Sequence, residues 1–177
     1  IPEFIENMIS CEQLNLGENN LSGEIPESIG NMINLTALDL SDNNLIGEIP
    51  ESIGNLVKLN SLYIYNNNLS GKIPESIGNL ISLDYFKIAD NNLSGPIPES
   101  ICLTSLRFNS SSRMRSSFRN NKLCPQFPEC LVETLPVEEQ DTSDCPSGCT
   151  DDGNMNPDDW AAIYDPGNPE NYPGVEA

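Results

Sequence analysis

Histidine is absent from all 177 residues. The Ser-His and Cys-His relays therefore lack their base, and His-ligated metal centres lack their ligand. Carboxylates are plentiful, 27 acidic residues against 8 basic ones. They recur on repeated polar faces, with no apolar pocket to hold one of a pair protonated as an acid catalyst requires. The Gly-rich stretch GNPENYPG lacks the Lys-Ser/Thr of a phosphate loop and reads as a turn-rich linker. The inventory implies no enzyme.

The chemistry that remains is recognition and modification. Tyr63, Tyr65 and Tyr85, flanked by Asp39 and Lys87, supply the aromatic anchors and charged neighbours of a ligand-binding face; ordinary cross-strand packing is the competing reading. Asn-x-Ser/Thr acceptors occur at Asn20, Asn34, Asn68, Asn92 and Asn109, the pattern of N-linked glycans in a secreted chain. Asp152, Asn154, Asn156 and Asp158 alternate oxygen-bearing side chains as calcium loops do, although not at EF-hand spacing. A solvated acidic linker is the expectation there. No cofactor is expected, and calcium is the one candidate.

The elements that must position these groups follow from a repeat. IPESIGN returns after NNLSG every 24 residues, and units written from each Ile-Pro run 1–24, 25–48, 49–72 and 73–96, with a fifth opening at Ile97. Self-similarity at such a period means a solenoid whose units bury their apolar faces on one another. Each unit fits L-x-x-L-x-L-x-x-N-x-L, for example Leu35, Leu38, Leu40, Asn43 and Leu45. The L-x-L core is a strand with alternating inward residues, so stacking predicts a parallel sheet on the concave side. PESIGN is long enough only for a short helical turn on the convex side. Asn19, Asn43, Asn67 and Asn91 then form an inward ladder that pairs backbone groups at the turn.

The unit tail L-x-G-x-I-P-x-x-I-G-N-L resembles the plant-type, extracellular leucine-rich repeat of receptor-kinase ectodomains and polygalacturonase-inhibiting proteins, over residues 1–131. That resemblance implies a leucine-rich repeat solenoid and a disulfide-closed C-terminal cap. NNKLCPQFPECL resembles the cap, which implies a Cys124–Cys130 bond. Cys145 and Cys149, four apart, are the next natural pair. Cys11 stands at a repeat Leu and Cys102 at a repeat Gly. Units too far apart to bridge leave these two as buried thiols or intermolecular partners.

The irregular positions are informative. Ile97 and Leu123 are 26 positions apart where Ile25 and Leu45 are 20 apart, so six residues are inserted. The segment RFNSSSRMRSSFRNNK is expected to be a basic loop, with Arg113, Arg115 and Arg119. Residues 132–177, a Pro-rich extension, carry 12 acids and no base, a disorder-like composition. At the other end, Ile1, Phe4, Ile5 and Met8 offer an apolar edge to upstream sequence or a partner.

A net charge of −19 argues against nucleic acid and anionic membranes, and no stretch is long and apolar enough to span a bilayer. Six cysteines suit a secreted or cell-surface chain. The expected function is a non-catalytic extracellular glycoprotein, an interaction or structural scaffold. It would partner with protein, foremost itself, head to tail in filaments through the basic loop and acidic tail. The alternative is a module reading a protein, peptide or cell-wall glycan on its concave face. Ice binding, known for some relatives of this repeat, is discounted because Thr36 is the only Thr on the sheet.

Overall fold

The computed structural model describes residues 1–106, 117–124, 128, 130 and 131. Within them the chain winds as a coil of strand, turn, strand and 3-10 turn, once per unit. Five 3-10 turns, Glu3–Asn7, Glu27–Asn31, Glu51–Asn55, Glu75–Asn79 and Glu99–Leu103, arise from a period of three in the sequence. Pro26, Ile29, Met32 and Leu35 are each three apart and all buried. The backbone closes the same steps, with Ile29 N–H donating to Pro26 C=O, Met32 to Ile29 and Leu35 to Met32. Three residues per turn brings such a series onto one side of a 3-10 coil. Each Pro precedes its turn with an extended backbone, φ between −75° and −66°, the angle its ring imposes.

The concave sheet is built from β1 (Gln13–Asn15), β3 (Ala37–Asp39), β5 (Ser61–Tyr63) and β7 (Tyr85–Lys87), all parallel and paired residue for residue at the repeat of 24. A second parallel sheet follows the ladder: β2 (Ser22–Gly23), β4 (Asn44–Gly47), β6 (Asn68–Gly71), β8 (Asn92–Pro96) and β9 (Lys122–Cys124). The repeat template does not predict this sheet. Its mark in the sequence is a single Leu in each of β4, β6, β8 and β9, fully buried at Leu45, Leu69, Leu93 and Leu123, too short a run to register as a strand.

Between the two sheets the chain turns through a left-handed residue, Glu18, Asp42, Asn66, Asp90 or Asn120, with φ from 52° to 58°. Asp and Asn tolerate this region better than other side chains. The next residue is the ladder Asn. Asn67 is representative: its Nδ2 donates to Leu40, Ile64 and Tyr65 carbonyls at 3.0–3.2 Å, and its Oδ1 accepts from Leu45 N–H at 3.0 Å. One amide thus ties two units together and satisfies four buried backbone groups. Among the described residues no buried side-chain polar atom lacks a partner.

The fifth unit departs from expectation. The end of the inserted segment is not loop: Ser117 pairs with Lys87, and Ser117 N–H donates to Phe86 C=O at 3.0 Å. Phe118 takes the buried Leu position and meets Phe86 edge-to-face at 5.5 Å. Asn121 completes the ladder, donating to Ile88 C=O at 2.9 Å. The signal was F-x-x-N-x-L, the repeat template with Phe for Leu. Residues 107–116, with Arg113 and Arg115, lie outside the described residues, as do residues 132–177 with the calcium candidates Asp152, Asn154, Asn156 and Asp158.

The disulfide expectation is corrected. Cys130 is bonded to Cys102, with Cα atoms 5.8 Å apart, and not to Cys124. The reason lies in the repeat glycine that Cys102 replaces. A Cβ on Gly30, Gly54 or Gly78 would fall 2.5–2.6 Å from the Ser of the following unit, so this position points along the stack. Cys102 points the same way from the fifth unit, where Cys130 stands in place of a sixth Ser. Cys102 is therefore neither a buried thiol nor an intermolecular partner. Cys124 is also disulfide-bonded; the expected Cys145–Cys149 pair lies outside the described residues. Cys11 is free and half-buried at its Leu position, its Sγ donating to Gln13 C=O at 3.1 Å. In the first unit Ile5 is buried, while Phe4 and Met8 are exposed.

Candidate functional site

The concave sheet displays two outward columns whose members are set by register. One reads Asn15, Asp39, Tyr63, Lys87 and Ser117; its neighbour reads Gln13, Ala37, Ser61 and Tyr85. A third column, just past the strands, holds Ser41, Tyr65, Ala89 and Arg119, whose backbones are linked through residues one further on; in it Ser41 and Ala89 are buried, Tyr65 is half-buried and Arg119 is exposed. Between these columns Leu14, Leu38, Leu62 and Phe86 point inward and are buried, which fixes the outward set by strand alternation.

All three tyrosines are half-buried on this face, as the sequence placed them. They do not simply stack. Tyr85 is opposite Ser61 and Lys87 opposite Tyr63, so Tyr63 and Tyr85 are diagonal neighbours. The Lys87 ammonium lies over the Tyr63 ring, 5.1 Å from its centroid. Such a contact contributes about 0.5–1 kcal/mol where water has access, and it holds a cation in place at the middle of an acidic protein.

The carboxylates of the face are occupied differently. Asp39 accepts from the Ser41 hydroxyl at 2.5 Å and its N–H at 3.0 Å. Asp84 accepts from Asn60 Nδ2 at 3.2 Å, Asp42 from Asn66 at 2.6 Å and Asp90 from Asn120 at 2.5 Å. From Asp42 onward Asp and Asn alternate along the left-handed file, so Asp42 and Asp90 are each met by an amide of the next unit rather than by a like charge. Arg119, expected in a loop, is exposed at the fifth position of the concave face.

The glycan acceptors separate into two kinds. Asn20, Asn68 and Asn92 are exposed on the side of the second sheet. Asn34 is half-buried and engaged at both ends, its Nδ2 donating to Ile9 C=O and its Oδ1 accepting from Lys58 Nζ, each at 2.8 Å. Asn109 lies outside the described residues. Among the described residues no group of three or more Cys, Asp or Glu could hold a metal ion, and no helix is long and apolar enough to cross a membrane.

Comparison with known proteins agrees with this architecture. The model of the leucine-rich repeat region matches residues 2–151. Among solved structures, the Arabidopsis receptor kinase HAESA, in complex with the peptide hormone IDA and the co-receptor SERK1, is 36% identical, with a TM-score of 0.64. The match covers 70% of this chain and 20% of that one. The BIR2 ectodomain from Arabidopsis thaliana is 39% identical over 71% of this chain and 63% of its own, with a TM-score of 0.60. A plant ice-binding protein is 33% identical over 70% of this chain and 37% of its own, with a TM-score of 0.61. The chain thus spans about a fifth of the receptor with its hormone. No curated protein matches it. With the stacked units, the asparagine ladder and a family model over residues 2–151 in agreement, the chain belongs to the leucine-rich repeat family and resembles the ectodomains of plant receptor kinases.

Proposed function

We propose that the chain is a non-catalytic extracellular interaction module whose concave sheet reads a protein or peptide, with Tyr63, Tyr65, Tyr85, Lys87 and Asp39 as the reading residues. The observation that carries this is the Lys87 ammonium over the Tyr63 ring at 5.1 Å, on a face whose columns change chemistry from unit to unit. Half-buried aromatic residues around a placed charge are the composition of interface anchors. The relatives support it: HAESA is seen with a peptide hormone and a co-receptor, and BIR2 as an ectodomain. The test is panning of a displayed peptide library against the full chain. Selected peptides are expected to lose binding to Tyr63→Ala/Tyr85→Ala; retention by that variant moves the site elsewhere.

The head-to-tail filament rests on Arg113, Arg115 and residues 132–177, all outside the described residues; electron microscopy of the native material tests it.

A further inference from the structure

One flank of the solenoid, where each 3-10 turn runs into its concave strand, carries an exposed aliphatic file. Ile9, Ile33, Val57 and Ile81 stand at one position of the 24-residue repeat and are 51–63% exposed, and Leu103 beside them is 68% exposed. Met32, Leu56 and Leu80, one residue earlier, are fully buried, so the backbone there turns one apolar residue inward and the next outward. A shallow hollow over Gly54 and Gly78, rimmed by Val57, Ile81 and Leu103, opens on the same flank, and no charged residue lines it.

Charge is arranged around this file rather than in it. Residues 28–38 and 52–74 contain no acid. The base next to the file is Lys58, whose Nζ donates to Asn34 Oδ1 at 2.8 Å. Acids stand at the two borders: exposed Glu27, Glu51 and Glu75 open the 3-10 turns on one side, and Glu12 and Asp84 precede the concave strands on the other.

Covering such a file releases the water held against it. Two copies of net charge −19 can meet here with apolar groups at the centre and like charges held to the rim. An isologous pair repeats one patch on both sides of a two-fold axis. With the axis along the stack, unit faces unit: Val57 meets Val57 and Ile81 meets Ile81, while Lys58 turns towards the Glu51 border of the other copy. An axis across the stack sets the Glu borders together and Lys58 beside Lys58, which like-charge repulsion disfavours.

We infer that this flank is a self-association surface that takes a second copy of the chain, the two stacks running the same way. The file steps about 5 Å per unit and covers little area, so the pair belongs with the small, transient interfaces.

Sedimentation equilibrium of the full chain tests this from micromolar to near-millimolar concentration, on material made without N-glycosylation because the acceptor Asn34 adjoins Ile33. A monomer–dimer equilibrium is expected. It should tighten as salt rises, since screening relieves the repulsion between two acidic copies. Val57→Asp/Ile81→Asp is expected to weaken it by about a hundredfold with an unchanged thermal midpoint. Asn44→Asp/Asn68→Asp, equal in charge but on the second sheet, is expected to leave it as it was at high salt. In a Cys11→Leu background, Ile33→Cys and Ile81→Cys are each expected to be cross-linked to the same residue of the second copy by a short bis-maleimide. A chain that stays monomeric at every concentration overturns the proposal, as does a dimer indifferent to the Val57/Ile81 change. Dimers that weaken with salt are held by opposite charges and not by this flank. Cross-linking at Val57→Cys alone fits the axis across the stack and overturns the arrangement. A monomer in which Ile81→Cys resists the maleimide has another segment of the chain over the file, which overturns it as well.

Discussion

Two kinds of column run through the stacked units, and they differ in whether they change. The ladder column is Asn in units two to five, Asn43, Asn67, Asn91 and Asn121, each buried and donating to a carbonyl of the preceding unit, Leu16, Leu40, Ile64 and Ile88 in turn. The convex Ser column is equally constant, with Ser52, Ser76 and Ser100 donating to Glu27, Glu51 and Glu75 carbonyls at 2.7 Å. On the concave sheet, by contrast, one column passes from Asn15 through Asp39 and Tyr63 to Lys87. Positions that hold neighbours together are answerable to an identical partner in every unit and so are identical themselves. Positions facing solvent on the concave side have no partner that recurs in every unit, and their variety is the place to look for a ligand.

The comparison is sharpest under substitution. Asn67→Ala removes the partner of four buried backbone groups, so a loss of about 3–5 kcal/mol in unfolding free energy is expected in urea titration; a loss under about 1 kcal/mol would mean that water replaces the ladder amide. Gly54→Ala comes next. Its Cβ would fall 2.5 Å from Ser76 Cβ and 2.6 Å from Ser76 C=O, and a cost of about 1–3 kcal/mol is expected from forcing two units apart. Calorimetry showing no change would show that the stack gives way locally. Smallest is Tyr63→Ser on the concave face, where loss of the Lys87 contact is expected to change stability by about 1 kcal/mol or less. A larger loss would place Tyr63 with the constant columns and against its role as a reading residue.

How much of this was readable in the sequence depended on whether a position repeats. The 24-residue period, the ladder Asn and the concave order of Tyr63, Tyr65, Tyr85 and Lys87 were all present as spacing, because each unit confirms the others. The Cys102–Cys130 bond was not. A singular residue has no sister copies to reveal its direction, and the family likeness pointed to the nearest cysteine in sequence. The direction was nonetheless encoded in Gly30, Gly54 and Gly78, whose missing side chains mark the line along which Cys102 points. The second sheet is not legible because two to five residues per strand carry too little alternation to read. The identity of any ligand is absent for a different reason: the concave residues record a shape and a charge, and many partners share both.

The asparagine ladder has a consequence for the history of the chain. Since Asn43, Asn67 and Asn91 each close an interface of the same form, a whole extra unit introduced between any two of them would meet native surfaces above and below. Gene duplication within such a protein is structurally silent as long as it copies 24 codons in frame. The number of units can then drift, and selection acts on the few outward residues that each new copy is free to change.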